Sequence, residues 1–302
     1  MPSVKLAVAP IAWSNDDMPE LGGDTPLEVC LAESRAAGFC GTEMGSKFPR
    51  DAAVLSPLLR RHGLQLASGW FSGLLRRGTV QQEMMRMRAQ LETFAALGTT
   101  VLFYAETTDS VQGQFDAPLS SRPTMDTAEF LPYGEKLTAL AAQMLSDYGI
   151  TMAYHHHMGT VIESDRDIDL LMQNSGDEVG LLVDSGHIVF AGGDAADLLR
   201  RHSGRVRYIH CKDLRQAPLA TAREDDLSFM QSVLLGVFTT PGDGFLDFDA
   251  FLAAAAAIPY SGWLVVEAEQ DPAKANPLEY SRQGGLHLRA CCQRAGIDLV
   301  EE

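Results

Sequence analysis

The stretch from residue 150 to residue 184 reads ITMAYHHHMGTVIESDRDIDLLMQNSGDEVGLLVD. It begins with an apolar, β-prone run at 150–156, and a second such run covers 178–184. Between them, the spacing of the apolar residues predicts a helix near 164–173. Short strands that alternate with amphipathic helices are typical of repeated βα units. This stretch therefore predicts a strand, a helix and a second strand of an α/β fold.

The same alternation continues along the chain. Predicted strands cover 4–10, 41–45, 64–70, 100–106, 150–156, 178–184, 205–211 and 262–269. Predicted helices cover 26–37, 51–62, 79–97, 126–148, 164–173, 194–202, 248–257 and 277–295. Eight βα units without a Pro-, Gly- or Ser-rich linker predict one domain, 1–302, closed into a (β/α)8 TIM barrel. The alternative is a doubly wound open sheet, but such a sheet usually carries a Gly-rich phosphate loop after its first strand, and APIAWSNDD is not one.

The seventh unit carries an insertion at about 214–246. This segment is long for a βα loop, and loops of that length are usually functional. We expect it to act as a lid or as a subunit contact, and the sequence does not choose between the two.

Composition excludes several classes of partner. The chain has 24 Lys and Arg against 40 Asp and Glu, a net charge of -16, which argues against nucleic acid and anionic membranes as partners. No apolar stretch reaches the roughly 18 to 20 residues that span a bilayer. The five cysteines are odd in number and form no CxxC pair, and the N-terminal run enters a strand without a signal-peptide pattern. We therefore expect a cytoplasmic protein with reduced thiols.

Candidate metal ligands follow from the strand ends. In a closed barrel the carboxyl ends of the strands meet at one mouth, and side chains alternate between the interior and the helical layer. Small Ala153 suits the interior, so His155 and His157 should point inward while His156 points outward. The same phase brings in Asp184, His210 and Glu267 if their strands point their last residues inward, and these three with His155 form the predicted metal site. Two imidazoles and two carboxylates suit Mn, Co, Fe or Zn. Glu269 shares the phase of Glu267 and is the alternative ligand.

Three motifs carry a family resemblance. DSGH (184–187), HCKD (210–213) and VVEAEQD (265–271) resemble the xylose-isomerase-like sugar isomerase and epimerase barrels. In that family a divalent metal is held by a Glu, an Asp, a His and a Glu. Carried over by position, Asp184, His210 and Glu267 match three of these ligands. The chain departs at the first ligand, where His155 stands in place of the strand-five Glu.

Longer segments narrow the resemblance. APIAWSNDDMPELGGDTPLE (9–28), GFCGTEMGSKFP (38–49), YHHHMGTVIES (154–164) and GWLVVEAEQDPAKANP (262–277) are similar to the inosose dehydratase family. This similarity implies the removal of water from a small keto-cyclitol, 2-keto-myo-inositol, to give a trihydroxycyclohexane-dione in inositol catabolism. It also implies Co or Mn as the metal, glutathione as an added requirement, and a homo-oligomer.

Two other functions stay open. A metal-dependent ketose isomerase or epimerase would use the same fold and metal, but this class normally supplies glutamates as its two bases, so His155 disfavours it. A non-catalytic sugar-binding barrel would show neither bound metal nor turnover.

Further candidates surround the predicted metal site. Proton transfer beside a ketone needs a base and an acid, and imidazoles titrate near the working pH. The candidate catalytic residues are His187, His157, Glu43 as base or hydroxyl acceptor, and Lys212 to stabilise developing negative charge. The candidate substrate contacts, which offer indole faces, an amide and a hydroxyl, are Trp13, Asn15, Trp70 and Thr160. Structural alternatives are a helix cap by Glu43 or its ion pair with Lys47, a rim pair of Lys212 with Asp213, and tryptophans that only close the barrel top.

Overall fold

Parallel strands form a closed barrel in the computed structural model, which describes residues 3–301. The barrel strands, first to eighth, are Ser3–Val8, Gly41–Met44, Gln65–Gly73, Val101–Glu106, Thr151–His155, Val179–Asp184, Val206–Cys211 and Gly262–Val266. Each strand pairs with the next in chain order, and the first also pairs in parallel with the eighth, from Val4 opposite Gly262 to Val8 opposite Val266. This closure confirms the predicted barrel and excludes the open sheet.

A helix follows each barrel strand and packs outside it. These helices are Leu27–Ala36, Ala52–Arg61, Val80–Leu97, Thr127–Tyr148, Asp165–Gln173, Ala195–Arg201, Phe248–Ala256 and Pro277–Ala295. Their ends agree closely with the predicted ones because local capping sets them. The side chains of Thr79 and Ser164 each accept a hydrogen bond from the third residue of their helix, and Gly98 and Gly149 end two helices in the left-handed conformation.

Several short elements lie outside the predicted pattern. Pro10–Ala12 and Leu119–Ser121 are 3-10 turns, Ser185–Phe190 is a short helix after the sixth strand, and Asp298–Leu299 pairs beside the first strand. The predicted insertion contains the helices Gln216–Glu224 and Phe229–Leu235 and an antiparallel pairing of Asp213–Leu214 with Phe238–Thr239. Among residues 3–301, no helix has both the length and the apolar character that crossing a bilayer requires.

The core has an outer and an inner layer. Most apolar side chains pack between the strands and the surrounding helices. A smaller cluster fills the barrel itself, with Phe103, Leu182 and Tyr208 among its larger members and Ala153 among its small ones. This inner layer supports the residues above it, since the Phe103 ring meets the His210 ring edge-on at 5.2 Å between centroids.

One glycine is fixed by close packing inside the barrel. A Cβ atom on Gly41 would lie 2.5 Å from the Trp263 ring and 3.1 Å from Cβ of Ala7. Only glycine fits there without a shift of its neighbours. Gly41 points inward, so Glu43, two residues along the second strand, points inward at the mouth.

Candidate metal centre and cavity

Four buried side chains meet at the mouth of the barrel. His155 and Asp184 end the fifth and sixth strands, His210 is the penultimate residue of the seventh, and Glu267 directly follows the eighth. Each lies two residues beyond a member of the inner apolar layer, which is why all four point inward. One ligand atom from each residue lies within 4.8 Å of the others. The alternation argument therefore brings together the four residues predicted as ligands.

The charged atoms of this cluster crowd around His210. Its Nδ1 lies 2.5 Å from Glu267 Oε2 and 3.4 Å from Asp184 Oδ2. Asp184 Oδ2 is also 4.0 Å from Nε2 of His155. The His155 Nδ1 lies 2.6 Å from the carbonyl oxygen of His156, to which it donates, so the lone pair of the ring is on Nε2 and faces Asp184.

Unsatisfied polar atoms test whether these residues fit a metal ion. Asp184 Oδ2, His210 Nδ1 and Glu267 Oε2 are buried, and none makes a well-aligned hydrogen bond within residues 3–301. Leaving such an atom unpaired costs about 1–3 kcal/mol, so three in one place require an explanation. A divalent cation satisfies all three at once, and imidazole with carboxylate is a donor set that Mn, Co, Fe and Zn accept. The residues fit the ion.

The protonation states agree with a cation at this position. Burial, and then the nearby His210, lower the pKa of His155 well below its ordinary value and keep its imidazole neutral. Burial would also lower the pKa of His210, but Glu267 and Glu43 outweigh it and hold that pKa well above the ordinary value. The same negative potential that favours a proton on His210 favours a metal ion beside it.

Glu43 contacts His210 and also lines the cavity at the barrel mouth. Its Oε1 accepts a hydrogen bond of 2.9 Å from Nε2 of His210, which directs the other ring nitrogen toward Asp184 and Glu267. Ligand histidines usually donate their second nitrogen to such a carboxylate, which orients the ring and increases its basicity. The predicted ion pair of Glu43 with Lys47 is not formed, because Lys47 Nζ donates to the carbonyl oxygens of Gly22, Gly23 and Thr25.

Lys212 is fully buried and lies beside the candidate ligands Asp184 and Glu267. Its Nζ is 2.8 Å from Glu269 Oε1, 3.0 Å from Glu267 Oε1 and 3.1 Å from His187 Nε2. Burial disfavours the ammonium form, but these carboxylates outweigh it and raise the pKa of Lys212 above its ordinary value. Lys212 and Asp213 do not form the predicted rim pair, since Asp213 accepts from the backbone N–H groups of Gly242, Gly244 and Leu246.

The three adjacent histidines have different surroundings. His157 lines the cavity, and its Nδ1 lies 2.8 Å from the carbonyl oxygen of Met158. His156 points away from the barrel interior, where its Nε2 accepts from the backbone N–H of Asp184 at 3.2 Å. The His187 ring packs 3.9 Å from the His157 ring, and the insertion reaches the same place, with Phe229 at 4.8 Å from His157 between centroids.

A cavity of about 250 Å³ lies against the candidate metal ligands. Its wall includes His155, His210 and Glu267, so a bound molecule would contact the centre directly. The volume lies slightly below the usual range for ligand pockets, which suits one small ring. A larger hollow of about 600 Å³ lies around Lys5 and Trp263, and no metal-ligand cluster accompanies it in the described part of the chain.

The predicted substrate contacts divide into two groups. Trp70 lines the cavity and lies edge-on to His155 and His157, each at 5.4 Å between centroids. Trp13 lies outside the cavity wall, because its indole N–H donates to Glu33 at 2.6 Å. Thr160 is also outside, since its hydroxyl bonds the carbonyl oxygens of His157 and Ile162.

Asn15 acts through the loop that follows the first strand. Its Oδ1 accepts from the backbone N–H groups of Asp17 and Met18, at 2.8 and 2.9 Å. The amide thereby fixes the loop that carries Asp17, and Asp17 lines the cavity although Asn15 does not.

Sequence reasoning missed several polar cavity residues, among them Asp17 and Gln112. Asp17 is an exposed residue at the cavity wall, and within residues 3–301 its carboxylate makes no hydrogen bond or ion pair. Desolvation by the surrounding wall, followed by the Asp16 charge, raises its pKa. Gln112 is buried, and its Oε1 lacks a partner among the same residues. Both residues lie in irregular loops, where strand alternation does not apply. The adjacent acidic pair in SNDD (14–17) was the one available signal.

Comparison with known proteins agrees with this geometry. The family model described as xylose isomerase-like TIM barrel matches residues 31–291. The chain belongs to that family. It is 48% identical over 297 residues to the rhizopine catabolism protein MocC of Rhizobium meliloti, covering 98% of this chain and 91% of the relative. It is 42% identical over 291 residues to inosose dehydratase of Geobacillus thermodenitrificans, covering 96% and 97%.

Solved structures with low sequence identity to this chain have the same fold. The structure of an L-ribulose 3-epimerase superposes with a TM-score of 0.67 at 14% identity, covering 97% of each chain. At this identity the likeness concerns the barrel alone.

Proposed function

We propose that this chain is a metal-dependent dehydratase of inositol catabolism, which removes water from 2-keto-myo-inositol and yields a trihydroxycyclohexane-dione. The coarser conclusion, an enzyme of the lyase class, follows from relatives named inosose dehydratase that are 40% and 42% identical over nearly the full chain. The observation that carries the proposal is the convergence of four buried ligand-type side chains, three of which line one small cavity.

The proposed metal is manganese or cobalt, held by His155, Asp184, His210 and Glu267. A divalent ion bound there supplies Lewis acidity to a substrate carbonyl, which is worth several kcal/mol of charge stabilisation and makes the neighbouring C–H bond more acidic. Two nitrogen and two oxygen donors match the preferences of these borderline ions.

His157 is the proposed base. Its Nδ1 donates to the carbonyl of Met158, so the lone pair lies on Nε2. Burial lowers the pKa of His157 to about 4, which keeps the ring neutral and able to accept a proton at pH 7. In the proposed reaction Nε2 takes the proton from the carbon beside the ketone. A positioned base contributes roughly 10²–10⁴ in rate.

Asp17 is the proposed proton donor. The hydroxyl on the next carbon must take up a proton to leave as water, and a carboxyl group with a raised pKa holds its proton more readily than an ordinary one. Asp17 lines the cavity, and the buried amide of Asn15 fixes its loop. The indole of Trp70 offers an apolar face to the C–H face of the substrate ring.

Two further parts of the proposal concern the environment of the enzyme. Glutathione is included as an added requirement on the family resemblance alone. All five cysteines are buried and unpaired, so no exposed thiol of the described chain is assigned to it. Unpaired cysteines also support the proposed location in the cytoplasm, where thiols stay reduced.

The test follows the dione while the metal is varied. Chelator-treated protein is reloaded with Mn²⁺, Co²⁺ or Mg²⁺ and incubated with 2-keto-myo-inositol, and product absorbance is recorded. We expect Mn²⁺ or Co²⁺ to restore turnover, and Asp184→Asn to lose both metal and turnover. Asp177→Asn is the matched control, since the Asp177 side chain is 98% exposed.

Two results would contradict the proposal. Full turnover in metal-free protein would remove the role of the centre. A metal-loaded protein that leaves this ketone unchanged but interconverts free ketoses would establish the isomerase or epimerase alternative.

A further inference from the structure

A second group of ligand-type side chains lies beside the first. His157, His187 and Glu269 are buried, and one ligand atom from each lies within 4.8 Å of the others. Glu269 Oε2 is buried without a hydrogen-bond partner within residues 3–301, although Glu269 lines the cavity. Two imidazoles and a carboxylate are again a donor set for a divalent cation.

The ammonium of Lys212 lies among these side chains. Its three N–H donors have three acceptors at 2.8 to 3.1 Å, which are Glu269 Oε1, Glu267 Oε1 and His187 Nε2. A lysine is rarely buried unless its charge is paired, and here the pairing involves both carboxylates that follow the eighth strand. The ammonium therefore contacts two of the three members of the second group and Glu267 of the first, and Asp184 of the first lies 3.8 Å from it.

The surrounding structure holds the lysine in this place. A Cβ atom on Gly186 would lie 2.7 to 2.9 Å from Cγ, Cδ and Cβ of Lys212, so the glycine leaves room for the lysine stem. The Phe238 ring of the insertion lies 5.1 Å from Nζ, which adds a cation–π contact. Gly186 and Phe238 together accommodate one extended lysine side chain at this position.

The net charge of the buried groups shows that the Lys212 ammonium takes the place of a second cation. The carboxylates of Glu43, Asp184, Glu267 and Glu269 carry four negative charges when ionised. One divalent ion and one ammonium reduce this to a net charge of minus one, whereas one divalent ion alone leaves minus two. Without the lysine, the buried carboxylates would attract a second cation strongly.

We propose that the Lys212 ammonium occupies a second cation position, which restricts the centre to one metal ion and leaves His157 free of metal. The inference rests on the proposed function in two respects, the metal at the first site and the role of His157 as base. A metal ion bound to His157 would take the lone pair that removes the substrate proton.

The test counts metal ions and uses no substrate. Wild-type protein and variants are saturated with Co²⁺, freed of excess metal and measured by elemental analysis and by the visible Co²⁺ spectrum. We expect one ion per chain in the wild type and two in Lys212→Ala, with a second set of Co²⁺ bands. Lys212→Ala with His187→Ala removes a ligand of the second site and should return to one ion.

Lys212→Met is the matched control. Its side chain is similar in length, fills the same space and carries no charge, so it should block the second site and retain one ion. Thermal unfolding verifies that each variant is folded. If Lys212→Ala does not fold, Lys212→Ser, which also shortens the side chain and removes its charge, is measured in its place and should bind two ions.

The outcomes separate this inference from the proposed function. A single ion in folded Lys212→Ala, or two ions in the wild type, would overturn the inference and leave the first centre intact. No metal in the wild type would overturn the metal-dependent function itself.

Discussion

Replacement of Glu43 tests how the centre is supported. In Glu43→Gln the side chain keeps an oxygen that can accept the 2.9 Å hydrogen bond from His210 Nε2, but the negative charge is lost. In Glu43→Ala both the acceptor and the charge are lost. Because the bond orients His210 and makes it a better donor, removing such a partner typically costs 10- to 100-fold in metal affinity.

The two variants should therefore form a series. We expect Mn²⁺ to bind about tenfold more weakly to Glu43→Gln and about a hundredfold more weakly to Glu43→Ala, or about 1.4 and 2.8 kcal/mol. Competition with a chelator of known affinity measures the dissociation constants. Glu92→Gln is the control, because Glu92 forms only a surface pair with Arg88. Turnover at saturating Mn²⁺ should recover in large part.

One pattern would refute this account of Glu43. If both variants bind Mn²⁺ as tightly as the wild type but lose turnover at saturating metal, Glu43 acts on the substrate rather than through His210. Glu43 would then be the base, and the assignment of His157 would be wrong.

Three other predictions concern the base, the packing of the barrel and the pH dependence of stability. His157→Ala should lower kcat by roughly 10²–10⁴ with bound metal unchanged; a loss of metal in that variant would instead mark His157 as a ligand. Gly41→Ala should destabilise the protein by about 1–3 kcal/mol, because its Cβ would overlap the Trp263 ring, and an unchanged urea midpoint would contradict this. Burial raises the pKa of Glu163 to about 7 from an ordinary 4.5. The protonated side chain therefore makes its full contribution to the free energy of unfolding below about pH 4.5, and about 3 kcal/mol of it is lost as the pH rises through about 7. Glu163→Gln cannot ionise, and its urea-derived stability relative to the wild type should therefore rise between pH 5 and pH 8; a constant difference would count against a raised pKa.

The barrel and the cluster of candidate metal ligands were accessible from sequence because periodicity encodes both. Apolar runs of strand length fix where the strands lie, and alternation about Ala153 fixes which side chains point inward. The same alternation predicts that Asp184, His210 and Glu267 lie at the mouth of the barrel. These are properties of regular backbone, and they need no knowledge of contacts between distant residues.

The remaining features depend on contacts that periodicity does not encode. Trp13 looks like a substrate contact in sequence, but a hydrogen bond to Glu33 in the following helix holds its indole outside the cavity. Asp17 and Gln112 reach the cavity from loops without a repeating pattern. The place of Lys212 is decided by two glutamates beyond the eighth strand, whose separation in space cannot be read from their separation in sequence.

Anomalous X-ray diffraction from a crystal of Mn²⁺-loaded protein tests the central claim most directly. The account predicts one strong manganese peak at the mouth of the barrel, about 2 Å from ligand atoms of His155, Asp184, His210 and Glu267. A saturated crystal with no peak among these four residues, or with its peak elsewhere, would contradict it.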